Sequence, residues 1–451
     1  MAKRHPTLST THIILLSFLL AIVVGTGLLW LPISTKSGES VAFLDALFTA
    51  TTATCVTGLV TVTTATTWSV FGQIVILVLI QVGGLGVITV MAGVMIALNR
   101  RMGLSDRLLL QDAFNLNTLS GLAAFIRRVI IGTLVVEGVG ALCCMTVFVP
   151  DFGARGIWIS VFHAISAFCN AGIDILATDS LCAYATDPVI NSVTSLLILL
   201  GGLGYVVWWD VIRVLSDRQI KGRRLRHLTL HSKIVLSSTA ILLIGGALLI
   251  LLFEYDNPLT IGNMSLFDKI QVSLFQSVTT RTAGFASVPQ QYLTAGASAV
   301  SLLLMFIGGS PVGTAGGIKT VTVAALVATV TAMVQNKSDV TLFGRRLSGS
   351  AIRRAVAVTG ISFAIMTLSS LLLCATTEAS LPDVLFETVS ATATVGLSRD
   401  LTASLPPVAK AVVIATMYLG RVGPISLAFA FRVKKQAPDI VKDPIEEISV
   451  G

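Results

Sequence analysis

The chain has 451 residues, of which 54% are hydrophobic and 12% are charged, and its formal net charge is +8. Soluble domains carry about 25% charged residues, so this chain has too few charges to cover a water-exposed surface. The apolar content excludes a disordered chain, and the six scattered cysteines exclude a secreted disulfide scaffold. The basic residues lie between apolar runs and do not form the polar surface of a nucleic-acid-binding protein. A polytopic membrane protein remains.

Eight apolar runs are candidates for crossing a hydrocarbon core of about 30 Å. In chain order they lie near 12–31, 70–98, 128–150, 189–213, 233–253, 296–335, 353–376 and 406–431. The first run has no small-residue cleavage site, so we expect a spanning helix there rather than a removed signal peptide. The pattern predicts an all-α integral membrane protein.

The basic residues fall on one side of such a protein. With eight crossings, 23 of the 31 Lys and Arg residues lie in the N-terminus, in three loops and in the C-terminal tail. The positive-inside rule makes this side cytoplasmic. We therefore expect a multi-pass protein with both termini in the cytoplasm.

A fourfold repeat lies between the spans. Each odd span is followed by a semi-polar segment that is too short to cross and that ends in a glycine, at Gly58, Gly172, Gly284 and Gly396. The separations of 114, 112 and 112 residues indicate an internal repeat. A second set of glycines follows in the next spans, at Gly83, Gly201, Gly308 and Gly420.

These segments predict four pseudo-symmetric helix–pore-loop–helix repeats around one central pore. The architecture comprises eight spanning helices and four re-entrant half-helices, with repeats at 8–112, 113–225, 226–346 and 347–451. Non-helical backbone at membrane depth survives only where it is buried or lines a water-filled path. Because glycine tolerates positive φ, four such loops can form a ring of carbonyl dipoles that replaces the hydration shell of a cation. The alternative is that each glycine only breaks a helix or permits tight helix packing.

The loops, together with VTTRTAGF at 278–285 and GGSPVGTAGGIKT at 308–320, resemble the K⁺-translocating membrane subunits of the Trk/Ktr/HKT superfamily. The resemblance covers essentially the whole chain and is greatest to the bacterial KtrB branch. It implies one K⁺ path per monomer in the bacterial cytoplasmic (inner) membrane. Gly58 stands where plant relatives that favour Na⁺ commonly carry serine, which favours K⁺. The residues expected in the selectivity filter are Thr54, Val56, Thr57, Gly58, Asn170, Ala171, Gly172, Thr282, Ala283, Gly284, Thr394, Val395 and Gly396.

The third inner span contains a helix-breaking stretch. Five glycines and one proline within 308–317 cannot continue an ordinary helix, so a loop inside the membrane is expected. The resemblance implies that this loop is a gate below the filter, whereas the alternative is a passive packing kink. The candidate gate residues are Gly308, Gly309, Ser310, Pro311, Gly313, Thr314, Gly316, Gly317 and Lys319.

Three charged residues in apolar or filter segments carry separate expectations. Arg421 lies in the middle of the last span, where an arginine normally faces an aqueous cavity or a partner. The resemblance implies that it faces the pore and raises the barrier for the ion, and a structural ion pair is the alternative. Arg281 is expected to turn away from the filter and to anchor its loop to Asp268 or Glu387. Glu137 is expected to hydrogen-bond a neighbouring helix.

Two polar segments on the basic side raise the question of partners: the amphipathic stretch 103–126 and the basic stretch 216–233. Basic juxtamembrane loops usually serve orientation and contact with anionic membrane lipids. The resemblance adds a homodimer docked on a cytosolic, KtrA-like ring of nucleotide-binding regulatory subunits. The chain has neither a Walker A motif nor a Rossmann fingerprint, so a nucleotide response would come from that partner. No nucleic-acid partner and no bound cofactor are expected.

The expected function is K⁺ uptake through a channel-like, gated pore, with Na⁺ as a candidate coupling or activating ion. A secondary transporter (a symporter, for example) of another small cation or solute, with broken helices at the midplane, remains the alternative. That alternative explains the broken third inner span but not four glycine loops at one side of the membrane. Hydrolase motifs are absent, so no enzymatic activity is expected.

Overall fold

A computed structural model describes residues 10–97, 122–176, 179–217 and 224–423. Most of the predicted amphipathic stretch 103–126, part of the basic stretch 216–233, the C-terminal tail and the repeat boundary at 112/113 lie outside these residues. The described chain is mostly helical and falls into four successive sets of elements.

Each set begins with a long outer helix, continues with a shorter helix, called here the pore helix, and ends with an inner helix. The first set contains α1 (Thr10–Leu29), α2 (Phe43–Cys55), the short α3 (Thr64–Thr67), α4 (Val70–Leu85) and α5 (Val87–Ala97). The second set contains α6 (Leu122–Phe152), α7 (Ala154–Phe168), α8 (Pro188–Leu203) and α9 (Tyr205–Ser216).

The third set differs because its inner helix is interrupted. It contains α10 (Leu230–Glu254), α11 (Leu266–Thr279), α12 (Ala295–Phe306) and α13 (Thr320–Val334). A small antiparallel hairpin, β1 (Thr341–Leu342) and β2 (Arg345–Arg346), connects it to the fourth set. That set contains α14 (Gly349–Thr376), α15 (Leu381–Ala393) and α16 (Pro407–Val422). The predicted break in the span 296–335 is therefore present, as a loop over 307–319.

The four outer helices are the longest and most clearly membrane-spanning helices of the fold. By length and apolar composition, α1, α6, α10 and α14 can each cross a membrane, and the bent pairs α4–α5 and α8–α9 raise the number to six in the described chain. The interrupted α12–α13 and α16, near the end of the described chain, occupy the other two inner positions. The pore helices are buried between them: Phe48, Phe162 and Phe386, each ten residues before a loop glycine, have no exposed surface.

The two ends of this bundle differ in charge. The ends of the inner helices, with the hairpin, carry Arg213, Arg345 and Arg346, and this end is called the basic side. The loops between pore helices and inner helices lie on the opposite side. They carry acidic residues that include Asp174 and Asp400.

Two of the expected inner spans, 70–98 and 189–213, are sharply bent in the structure. The helix axis turns by 97° between α4 and α5 and by 98° between α8 and α9. Each bend falls on a glycine at positive φ, Gly86 at +84° and Gly204 at +86°. A residue at positive φ leaves the helical conformation, so the chain changes direction there. Gly423 has the same conformation, with φ of +90°, directly after α16.

Three inner helices contact the C-terminal ends of the pore helices, and each has a glycine at the point of contact. A Cβ atom added at Gly83 would stand 1.9 Å from the carbonyl oxygen of Thr54, and one at Gly201 would stand 1.9 Å from that of Phe168. At Gly420 the corresponding distance to the carbonyl oxygen of Thr392 is 2.2 Å. Each of these carbonyl groups lies four residues before a loop glycine, so backbone contact positions the loops directly.

This contact predicts a large difference between two adjacent glycines of α8. Gly201→Ala forces a methyl group into the backbone of α7, and such overpacking typically costs about 1–3 kcal/mol. A Cβ atom at Gly202 would meet nothing closer than 3.6 Å, so Gly202→Ala is the matched control. We expect thermal unfolding of the purified protein in detergent to show a lower midpoint for Gly201→Ala than for Gly202→Ala. Equal midpoints would contradict the close approach.

Candidate functional site

The four glycine loops close into a ring. Each loop glycine lies against a carbonyl oxygen of the next loop, and the fourth loop lies against the first. In each case this oxygen belongs to the residue directly before the glycine of that loop. The distances from an added Cβ atom are 2.6 Å for Gly58 to Ala171, 2.6 Å for Gly172 to Ala283, 2.4 Å for Gly284 to Val395 and 2.2 Å for Gly396 to Thr57. No residue with a side chain would fit at these four positions without displacing its neighbour.

The backbone of the four loops has a common conformation. The loop glycines have φ between +64° and +100°, and the residue two positions earlier is also left-handed, with φ of +55° at Val56, +59° at Asn170, +66° at Thr282 and +50° at Thr394. A positive φ is rare for β-branched residues such as Val56 and Thr282, and such conformations cluster at functional sites. The repetition in all four loops indicates a conformation that the ring requires.

A hydroxyl group behind each loop holds this conformation. Thr52 and Ser390 accept hydrogen bonds from the amides of Gly58 (2.9 Å) and Gly396 (3.0 Å). Ser166 donates to the carbonyl oxygen of Ile173 at 2.6 Å, and Thr279 donates to that of Phe285 at 2.6 Å. The sequence analysis did not assign these residues. A hydroxyl residue five or six positions before every loop glycine was the signal that could have found them.

The ring opens on one side into an acidic recess. This recess is lined by all four loop glycines and by Asp174, Asp179 and Asp400, and none of the described residues that line it is a lysine or an arginine. Low-dielectric walls that carry one sign of charge raise the local concentration of the opposite charge. The recess therefore favours cations at the mouth of the ring.

The 307–319 loop lies against the opposite face of the ring. Thr314 donates through its hydroxyl group to the carbonyl oxygen of Phe168 and to Oδ1 of Asn170, both at 3.0 Å. The amide of Gly316 donates to the hydroxyl oxygen of Thr282 at 3.0 Å. Two of the four glycine loops thus hold this loop directly beneath the ring.

Further bonds fasten the loop to the bent inner helix α8. The amide of Ser310 donates to the carbonyl oxygen of Gly202 at 2.9 Å, and the amide of Thr314 donates to that of Gly201 at 3.1 Å. Lys319, at the start of α13, donates through Nζ to the carbonyl oxygens of Ala315 (2.6 Å) and Gly316 (3.3 Å). The other candidate residues of the stretch, Gly308, Gly309, Pro311, Gly313 and Gly317, belong to the same loop.

Arg421 connects three elements at this face. Its guanidinium donates to the carbonyl oxygens of Thr314 at 2.7 Å, of Gly83 at 2.5 Å and of Gly84 at 3.5 Å. It therefore joins α16 to the 307–319 loop and to the end of α4. Among the residues that the structure describes, no carboxylate forms an ion pair with Arg421.

The expected anchor of Arg281 was wrong. Its guanidinium donates to the carbonyl oxygens of Gly308 (3.1 Å) and Thr239 (3.4 Å), and only 5% of the residue is exposed. Asp268 lies in the first turn of α11, and 13 residues at about 1.5 Å per residue place it about 20 Å from Arg281. Glu387 is engaged with Ser398 and Thr402 instead. Arg281 thus anchors the third glycine loop to the beginning of the 307–319 loop.

Glu137 contacts a neighbouring helix, as expected. It accepts a hydrogen bond from Nε2 of Gln81 in α4 at 3.2 Å. His163 is buried in α7 and hydrogen-bonds Thr194 of α8 at 2.8 Å. Both contacts join elements of the first two sets rather than line the ring.

Comparison with known proteins identifies the class to which this fold and ring belong. The model of the TrkH family of cation transport proteins matches residues 4–442. The chain therefore belongs to this family, and the resemblance seen in the sequence is confirmed. Its members are cation transporters and not enzymes, which agrees with the sequence analysis.

Individual relatives match over their whole length. The potassium/sodium uptake protein NtpJ of Enterococcus hirae is 38% identical over 100% of this chain and 99% of its own length. The Ktr system potassium uptake protein B of Bacillus subtilis is 38% identical over 98% of this chain and 96% of its own length. The crystal structure of the potassium transporter TrkH from Vibrio parahaemolyticus superposes with a TM-score of 0.72 and covers 96% of this chain and 87% of its own, at 16% identity. This confirms the all-α, multi-pass membrane architecture with pore-loop helices.

The position of Arg281 generates a prediction about the 307–319 loop. Arg281→Met removes the guanidinium that donates to the carbonyl oxygen of Gly308. A hydrogen bond to a charged group contributes about 1.5–3 kcal/mol to stability. We expect amide hydrogen exchange in 308–317 to become roughly tenfold faster or more, because 1.4 kcal/mol corresponds to a factor of ten. Hydrogen-exchange mass spectrometry of the purified protein measures this.

Arg399→Met is the matched control for Arg281→Met. Arg399 is partly buried, and it pairs with Asp383 at 2.8 Å on the acidic side, away from the loop. Exchange in 308–317 should not change in this variant. If both variants accelerate exchange equally, the anchoring by Arg281 is refuted.

Proposed function

We propose that the protein takes up K⁺ through a channel-like pore whose selectivity filter is the ring of four glycine loops. The observation that carries this proposal is the cyclic contact of Gly58, Gly172, Gly284 and Gly396 with one another's loops. Carbonyl oxygens converging on one axis can substitute for the hydration shell of a cation. Two relatives that match over their full length are named potassium uptake proteins, which supports K⁺ as the permeant ion.

The second part of the proposal is that the 307–319 loop is the gate of this pore. It lies beneath the filter and is held by hydrogen bonds rather than by a packed helix, so it can be released without unfolding a helix. Arg421 adds a positive charge at the same level and holds the loop through Thr314. In the closed state, both the loop and this charge oppose the passage of a cation.

The third part concerns regulation and location. We place the chain in the bacterial cytoplasmic membrane with the basic side and both termini in the cytoplasm, because positive charges remain on that side. Relatives named as proteins of a "Ktr system" support a multicomponent transporter. We assign nucleotide-dependent regulation to a cytosolic, KtrA-like ring that docks on a homodimer of this chain.

Two further points concern the role of Na⁺ and the alternative of a carrier mechanism. The Enterococcus hirae relative is named a potassium/sodium uptake protein, which supports Na⁺ as a coupling or activating ion. The interrupted α12–α13 is the observation that favours a secondary transporter with a broken helix at the midplane. The closed fourfold ring favours the channel-like pore, since a carrier needs no such ring.

The filter predicts a loss of ion selectivity when a side chain enters the ring. In Gly58→Ser the new Cβ atom would meet the carbonyl oxygen of Ala171, and the φ of +98° is strained for serine. We expect the preference for K⁺ over Na⁺ in proteoliposome flux assays to fall by about tenfold, or ~1.4 kcal/mol. The same result is expected for Gly172→Ser, Gly284→Ser and Gly396→Ser.

Gly38→Ser controls for strain alone. Gly38 also has a positive φ, +74°, but nothing lies within 4 Å of an added Cβ atom. Its variant should keep wild-type selectivity. Unchanged selectivity in all four ring variants would reject the filter.

The gate predicts increased flux when its attachments are removed. Arg421→Ala removes the charge and the bond to Thr314, and deletion of residues 312–315 removes the centre of the loop. We expect K⁺ flux into proteoliposomes to rise by about tenfold in either case, as would follow from a barrier lower by ~1.4 kcal/mol. Arg213→Ala, which removes a largely exposed arginine paired with Asp210, should leave flux unchanged. Wild-type flux in both gate variants would show that the loop is only a packing element.

A further inference from the structure

A second recess lies on the basic side, away from the ring. It has an open volume of about 1,090 Å³ and lies between the segment that leads into α10 and the β1–β2 hairpin. Four cationic residues line it, Arg226 and Lys233 from the first segment and Arg345 and Arg346 from the second. The two segments are more than a hundred residues apart in the chain. The tertiary structure brings their charges to one place.

The recess has more positive than negative charge. None of the described residues that line it is acidic. Arg346 pairs with Asp339 at 2.9 Å, and Asp210 behind Thr229 pairs with Arg213 at 2.5 Å. Lys233 donates to a neutral group, the carbonyl oxygen of Arg226, at 2.7 Å. The N-terminus of the 25-residue helix α10 adds its partial positive charge to the same space.

Apolar side chains accompany these charges. Phe343, at the turn of the hairpin, lines the recess and is 57% exposed, and Leu230 lines it from α10. A water-soluble anion gains nothing from contact with exposed apolar groups beside its site. A lipid supplies both an anionic phosphate and an acyl chain, and basic pockets at the membrane surface bind such headgroups.

We propose that this recess binds the phosphate group of an anionic phospholipid. The lipid bridges the start of α10 to the hairpin, with its phosphate among Arg226, Lys233 and Arg345 and its acyl chains against the apolar groups. The hairpin follows α13, whose other end emerges from the 307–319 loop. A lipid bound here therefore restrains the half-helix that carries that loop. The site itself does not depend on the proposed transport function.

Binding is tested on the purified full chain in detergent, with dioleoylphosphatidylglycerol as the anionic lipid and dioleoylphosphatidylcholine as the neutral one. Native mass spectrometry measures both affinities. We expect at least a tenfold preference for phosphatidylglycerol in the wild type. We expect the double variants Arg226→Gln/Lys233→Gln and Arg345→Gln/Arg346→Gln each to lose most of it.

Arg353→Gln/Arg354→Gln is the matched control, because these two exposed arginines lie in α14 and do not line the recess. An equal loss of preference in this variant, or no loss in the recess variants, would overturn the proposal. A second measurement guards against misfolding: phosphatidylglycerol should raise the unfolding temperature of the wild type and of the control variant, but not that of either recess variant. The same rise in all three types of protein would also overturn it.

A competition experiment distinguishes a lipid phosphate from a free phosphate compound as the ligand. Glycerol 3-phosphate carries the headgroup chemistry without acyl chains, and we expect it not to displace the lipid at equal concentration. Displacement at equal concentration would show a site for a free phosphate and would overturn the lipid assignment. If the recess variants bind phosphatidylglycerol normally but lose a cytosolic protein partner, the recess is a protein-docking surface and the proposal fails.

Discussion

The structure depends on close contact between backbones at membrane depth. In the bilayer, irregular backbone is tolerated only where protein or a water-filled cavity surrounds it. Four loops satisfy this constraint by packing against one another at Gly58, Gly172, Gly284 and Gly396, where no Cβ atom fits. Glycines of the inner helices bring the carbonyl groups at the ends of the pore helices equally close. The outer helices then isolate this glycine-lined centre from lipid.

The surroundings of the ring are asymmetric, and its two faces differ in charge. On one side an open recess with aspartate carboxylates attracts cations. On the other side lie the 307–319 loop and the partly buried Arg421. Arg281 and Arg421 both donate to backbone carbonyl oxygens of this loop and so hold it in place. The third repeat departs from the fourfold pattern because its inner helix provides this loop.

Much of this arrangement was predictable because it rests on local residue types. Four glycines at nearly constant spacing indicated the repeat, and the glycine and proline residues of 308–317 indicated the interrupted helix. The bends at Gly86 and Gly204 were missed, although a glycine three residues after Gly83 and Gly201 marks both. A hydrophobic run reports that a segment is apolar, but it does not report direction. The roles of Thr52 and Ser390 were missed for a related reason, since a hydroxyl group has no assigned partner until the loop is folded.

The sequence by itself determined the membrane location, the fourfold organisation and the interruption of the third inner helix. These follow from apolar length, from spacing and from the conformational limits of glycine and proline, which act on neighbouring residues. Only the tertiary structure decided the cyclic order of the loops, the partners of Arg281 and Arg421 and the meeting of Arg226 with Arg345. Each of these depends on contacts between segments that are far apart in the chain. An arginine in an apolar segment must find acceptors, but which carbonyl groups it meets is settled by packing.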